Sequence, residues 1–415
     1  LADDSLPIRG IPPIGYGLLH LPGGLASGFV GVTLGPMLHR HGVSVTAIST
    51  MIGLGLLPTT LRFLMGPFVD MTLSSVRWYF LCTALLIAAL LIVPFLPLDA
   101  RSIPLLDILV FCAGVAAQGA ACAAAGAMAL TAPNAQRGAI AGWLNVGTLS
   151  GVAFGGGGSL WLATHAGGIA TACIVLALIC AACAAPALRF RIPPIHHGTG
   201  ATAKALELGG ALVAVLRTRQ GVLVCLASVI PCSLGVSATL LPSVAGDWHV
   251  STDMVALVTG ALAGFTTAPG CILGGYLCDR FPRRIVYIWS AVAYAAGLTI
   301  LALAPHTQGW FVGMVLINAF MLGVGYAGIS AVIFDCLGLI GAATISAVLS
   351  SVCNVPVVVM VMIVGRVQTA HGSTAMLLTE AGAAVVSIAG YAALAWLWKP
   401  GGAVIPTVMA GAQSA

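Results

Sequence analysis

Arg62 stands inside a long apolar run, in the stretch TTLRFLMGPFVD at 59–70, eight residues before Asp70. On a helix this puts it about 12 Å from Asp70 along the axis, deep in a hydrocarbon core of about 30 Å. A guanidinium at that depth costs at least about 2.5 to 3.5 kcal/mol, so it requires a partner or a wet cavity. Helical spacing gathers Leu57, Leu61, Leu64 and Phe68 on one face, suited to lipid. Gly55, Thr59, Arg62 and Gly66 fall on another, narrower and more polar face. Two roles fit Arg62: an anchor for a carboxylate or phosphate on a solute, or a clamp between helices through an ion pair or carbonyl contacts.

The other polar groups inside apolar runs are few. His20 precedes LPGG, where Pro22 and two glycines should break regular helix and bare backbone groups to a cavity. Its imidazole suits solute binding or proton relay, and a packed structural histidine is the alternative. Asp335, in GISAVIFDCLG, and Glu380 are the acidic candidates for carrying a proton, because burial raises a carboxyl pKa toward the working range. Asp335 could equally cap a helix at the interface, and Glu380 could sit near enough to the surface to stay hydrated. Gln118, Asn145, Asn318 and Asn354 complete the solute-binding candidates, with hydrogen bonding between helices as the plainer role. The run GGGG at 155–158 lacks the Lys-Ser/Thr and preceding strand of a phosphate loop and reads as a close helix contact. No catalytic set and no metal site is expected, and the 12 cysteines, all within or at the ends of apolar segments, read as small packing residues.

These residues must be held by membrane-spanning helices. With 60% of 415 residues hydrophobic and 7% charged, the chain cannot cover a soluble core with polar surface. The first ten residues, LADDSLPIRG, lack a secretory signal pattern, so the first apolar run is expected to remain as a span. Punctuation by Pro, Gly and charge divides the chain into twelve spans, at 12–38, 44–69, 78–97, 104–131, 138–164, 167–188, 220–244, 252–277, 285–304, 309–333, 338–365 and 373–397. The fold class is all-α and polytopic, with six-helix halves at 1–188 and 220–415 and a linker at 189–219, part of it an amphipathic surface helix. If the N-terminus is cytoplasmic, the inner segments hold Arg9, Arg77, Arg137, Arg189, Arg191, Lys204, Arg217, Arg219, Arg280, Arg283, Arg284 and Lys399. The outer loops then hold only Arg40, Arg101 and Arg366, so both termini and the linker are expected in the cytoplasm.

The halves also repeat. One offset of 209 residues relates Gly66 to Gly275, Asp70 to Asp279 and Asn145 to Asn354. An even number of spans in each half makes the repeats parallel, about an axis along the membrane normal. Glycine lets the end of a helix approach its neighbour, and a carboxylate there can cap a helix N-terminus or pair with arginine across the halves. Asp70, Asp279 and Arg280 are therefore gate candidates, with loop anchoring as the alternative. Asn145 and Asn354 would form a two-sided clamp on a solute.

The stretch GGYLCDRFPRR, with Gly275, Leu277, Asp279, Arg280, Arg283 and Arg284, resembles the cytoplasmic signature of the major facilitator superfamily. Its first-half copy keeps Gly66, Asp70 and Arg77 but has MTLSS in place of the basic residues. GLLHLPGGLASGF, LLPTTLRFLMGPFVD, NAQRGAIAGWLNVGTLSGVAFGGGGSLWL and FDCLGLIGAATISAV are similar to AmpG-type permeases, whose relatives include muropeptide, siderophore and acetyl-CoA transporters. Twelve spans are two fewer than some muropeptide permeases carry. The resemblance implies a secondary transporter of a bacterial inner membrane, not an enzyme, working by alternating access as a monomer in the bilayer. It implies uptake of a medium-sized polar or anionic solute, with a proton gradient as energy source, no cofactor and no nucleic-acid partner. A drug or metabolite exporter of the same fold is the alternative, and it would have less need of Arg62.

Overall fold

The computed structural model describes residues 10–190, 201–229, 235–337 and 341–397. Arg9, Arg191, Cys232, Lys399 and the first part of the linker therefore lie outside the described residues.

Hydrocarbon offers the backbone no hydrogen-bond partner, so each crossing segment must satisfy its own amides. Accordingly, all regular structure among the described residues is helical. Eight helical segments are long and apolar enough to cross a membrane, or up to ten if two bent pairs each count as one, the second of them joining the linker helix to the start of the seventh span. The expected twelve are reached with two further features. Arg137–Ala153, Phe154–Gly158 and Ser159–His165 run on as one helical segment, the fifth span. The long segment Ala342–Leu397 divides into the eleventh and twelfth at Gly372, whose φ of 82° favours glycine. The seventh is described in two pieces, Arg219–Val229 and Val236–Val244.

Two local expectations are corrected. The first span, Pro13–Arg40, does not break at Pro22; its irregular part is a π-helical turn at Phe29–Leu34. The helix through Pro22 is held along its length by the fifth span, where Gly24 lies against the backbone of Gly151 and Gly28 against that of Val152. The π turn faces a second one, Phe154–Gly158, and Thr33 joins them by donating to the Gly156 carbonyl at 2.9 Å and bonding the Ser159 hydroxyl at 2.6 Å. The GGGG run thus makes the close helix contact expected of it. The second correction concerns the second span, which is bent by 51° between Thr46–Thr60 and Arg62–Met71. Pro58 and Pro67 each lack an amide proton, and the chain turns at Leu61, whose carbonyl accepts from Leu64 N–H at 3.0 Å. Arg62 therefore opens a new helical segment instead of sitting within a straight one.

The face pattern of this span holds in part. Leu57, Leu64 and Phe68 are exposed, Leu61 at the bend is only partly so, and Gly66 is buried. Spans one and five, two and four, three and four, eight and ten, and nine and ten pack within the halves. Two crossed pairs make the most extensive contacts between the halves, the Arg62–Met71 segment against the eleventh span and the fifth against the eighth, and the fifth also meets the tenth. The linker helix Ala201–Arg217 lies at the same end, with Leu208 buried against Gly341 and Leu206 exposed.

Candidate functional site

The bend at Leu61 delivers Arg62 to the wall of two adjoining chambers, of about 260 Å³ and about 150 Å³. His20, Arg62 and Thr148 line both, so they mark the passage from one to the other. The carbonyl of Leu19, just before His20, accepts from the buried Tyr79 hydroxyl at 2.9 Å, and the His20 Nδ1 is buried. Arg62 makes one hydrogen bond among the described residues, from Nε to the Cys122 sulfur at 3.4 Å. Cys122 is thus more than packing. Among the described residues lining the two chambers none is acidic.

Gln118 lines the larger chamber. Asn145 lines the smaller one, together with Ser330, Ser346 and Ser350 of the other half. The amide of Asn145 is already engaged, donating to the carbonyls of Ala141 at 2.8 Å and Tyr326 at 3.2 Å and to the Ser330 hydroxyl at 3.0 Å. It ties the fifth span to the tenth. Asn354 is exposed and lines neither chamber, so the structure does not bring the two asparagines together across a solute space. Asn318 is buried in the tenth span against Gly297, with both side-chain amide atoms lacking partners among the described residues. Glu380 is fully buried in the twelfth span, also away from the chambers.

Beyond the smaller chamber the halves meet at the end that carries the repeated Gly and Asp. Asp279 accepts from the backbone N–H groups of Gly138 and Ala139, at 2.7 and 2.8 Å, at the start of the fifth span. Asp70 accepts from the backbone N–H and the hydroxyl of Thr344, at 2.8 and 2.7 Å, at the start of the eleventh. Each carboxylate sits at the positive end of a helix belonging to the opposite half. The glycines one turn earlier make this possible. A Cβ on Gly66 would lie 2.6 Å from the Thr344 Cα, and one on Gly275 would lie 2.6 Å from the Gly138 carbonyl oxygen.

Arginines complete the contact. Arg283 pairs with Asp335 and donates to the Asn134 carbonyl at 2.7 Å. Arg137, which the sequence showed only as one more basic residue, donates to the Phe334 carbonyl at 2.8 Å. Asp335 therefore sits in the junction between the halves, not beside Arg62. The remaining signature residues stand apart from these bonds: Arg77 is exposed, Arg280 lies 4.4 Å from the Tyr276 ring centroid, and Arg284 is partly buried on the ninth span. Thr344, Arg137, Cys122 and the three serines were missed because their roles depend on what the opposite helix presents. Only the adjacency of Arg137 to the small, helix-opening GA pair in NAQRGA hinted at one of them.

Residues 17–335 match the family described as the Major Facilitator Superfamily. A search of the curated proteins finds no match. Among solved structures, the chain is similar to the proton:xylose symporter XylE, at 15% identity and a TM-score of 0.68, covering 93% of this chain and 95% of that one. It is similar also to FucP in the outward conformation, at 14% identity and a TM-score of 0.69, over 93% and 98% of the two chains. The human organic anion transporter TETRAN is a third, at 14% identity and a TM-score of 0.65, over 92% and 100%. At these identities the likeness is one of fold.

Proposed function

The chain belongs to the Major Facilitator Superfamily and is a membrane transporter, not an enzyme, and from that premise we propose that it takes up an anionic solute by alternating access. The observation that carries the proposal is Arg62, on the wall of two chambers without an acidic lining residue. A partly buried guanidinium on a cavity wall attracts a carboxylate or phosphate and can hold it through two parallel hydrogen bonds. His20 and Gln118 line the larger chamber with it and stand as further contacts.

On the bias of Lys and Arg, the end joined by Asp70 and Asp279 faces the cytoplasm of a bacterial inner membrane, so the form described is closed inward. Uptake then requires these contacts to break after the solute binds, and the two halves to rock about the site. Coupling to protons falls to Asp335, Glu380 or His20. Asp335 has the most direct route, because protonating it removes the charge that holds Arg283 between the halves. The AmpG-type stretches favour muropeptides, siderophores or related solutes.

Proteoliposome uptake under an imposed pH gradient tests this. Accumulation of a muropeptide, siderophore or acyl-CoA compound, abolished when the gradient is collapsed, is the expected result. Gradient-driven efflux of apolar cations, with no uptake of any of the three classes, would sink the import reading.

A further inference from the structure

The larger chamber is sorted by polarity along its length. Its polar side chains other than Ser27 gather at the deep end: His20 on the first span, Thr59 and Arg62 on the second, Gln118 on the fourth and Thr148 on the fifth. Ten residues away along each of the first two spans and eight along the fourth, the wall is Val30, Ile52 and Val110, with Gly31 beside Val30 and no Phe, Tyr or Trp in the lining. Val30, Ala26, Val110 and Ala113 also border a small apolar crevice of about 20 Å³ between the first, third and fourth spans. Phe29, Leu90 and Leu109 close that crevice.

Along the Val30, Ile52 and Val110 wall the lining side chains are aliphatic, with Ser27 the polar exception nearby. An apolar wall desolvates hydrocarbon favourably and a polar group unfavourably. We infer that the solute is an amphiphile: an anionic head held at Arg62 and His20, and a saturated aliphatic arm lying along the Val30, Ile52 and Val110 wall toward the crevice. This rests on the reading of Arg62 as an anion anchor and adds the chemical class of what is attached to the anion.

The head enters first and the arm trails away from the joined end. Each methylene moved from water to the wall contributes about 0.8 kcal/mol, a factor of about four in affinity. Gly31 offers a means of shortening the space. A Cβ there meets nothing within 4 Å, so a larger side chain projects into the chamber without displacing a neighbour.

The test uses the full chain in lipid nanodiscs and a series of N-acylglycines from acetyl to decanoyl. Binding is measured by calorimetry, with empty discs subtracted to remove partition into lipid. The expected result is a dissociation constant that falls about fourfold per methylene over the first several members and then levels off. In Gly31→Leu the levelling should come several methylenes earlier, with the acetyl compound bound as in the wild type. Arg62→Ala should weaken every member alike. A flat series in the wild type with binding still lost in Arg62→Ala would overturn the aliphatic arm and leave the anion reading intact. A steep series that survives Arg62→Ala unchanged would overturn the anion reading instead. A levelling point unmoved in Gly31→Leu would place the arm elsewhere and overturn the assignment of this wall.

Discussion

Arg62→Ala should lower kcat/KM for an anionic solute by about 100-fold or more while leaving the protein folded, inserted and no less resistant to heat. Truncating one member of a buried, hydrogen-bonded charge pair costs about 2 to 5 kcal/mol, and 100-fold corresponds to about 2.7 kcal/mol. The stability half of the expectation separates the two roles that the residue could have. A clamp between helices loses stability when removed. An unneutralised charge in the membrane interior costs at least about 2.5 to 3.5 kcal/mol to keep there, so its removal relieves the fold. The single bond from Nε to the Cys122 sulfur, a weak acceptor, is too little to offset that. Arg62→Lys keeps the charge and loses the fork, so it should recover only part of the transport. Uptake in proteoliposomes and thermal unfolding of the same preparations provide both readings.

Asp279→Ala should open the joined end. The carboxylate accepts two backbone N–H bonds at the start of the fifth span, and hydrogen bonds to charged groups contribute about 1.5 to 3 kcal/mol each. Losing them shifts the balance between closed and open forms by about 3 kcal/mol or more, roughly a factor of 100 or greater in population. Hydrogen exchange reads this directly. Amides of Gly138 and Ala139 should exchange faster by about that factor. The amide of Thr344 should follow, although it is held by Asp70 and no bond of its own was touched, because rigid halves part at both crossings together. Faster exchange confined to the fifth span would show local fraying instead. Asp279→Asn, which keeps an acceptor oxygen without the charge, should give a smaller change in the same direction.

The fold was legible because its causes are local and repeated. Apolar runs of bilayer length, the Lys and Arg asymmetry and the offset that pairs Gly66 and Asp70 with Gly275 and Asp279 are all readable along the chain. The repeat also pointed to the joined end, where a carboxylate could cap a helix, pair with arginine or anchor a loop, and the structure shows two helix caps. What the carboxylates bind was not legible. Thr344, Gly138 and Ala139 are ordinary helix-opening residues until the opposite half supplies a charge.

The site was legible in part for the same reason. Arg62, His20 and Gln118 stand out because polar groups in hydrocarbon are costly, and all three line the larger chamber. Asn145 and Asn354 share the repeat, yet Asn145 bonds across to the tenth span while Asn354 is exposed. Equivalent position in a repeat fixes depth in the membrane but not what a side chain meets, because each half packs against a different neighbour there. The bend at Leu61 is a similar case. Pro58 and Pro67 announce a weak point, but its place is decided by the packing that brings Arg62 to the chambers and Gly66 to Thr344.

The most direct test of the central claim compares a carboxylate solute with its own neutral amide in the same proteoliposomes, using wild type, Arg62→Ala and protein-free vesicles. The account predicts uptake of the carboxylate by the wild type alone, with the amide entering no faster than it enters protein-free vesicles. Uptake of the neutral amide by the wild type at the rate of the carboxylate would contradict it.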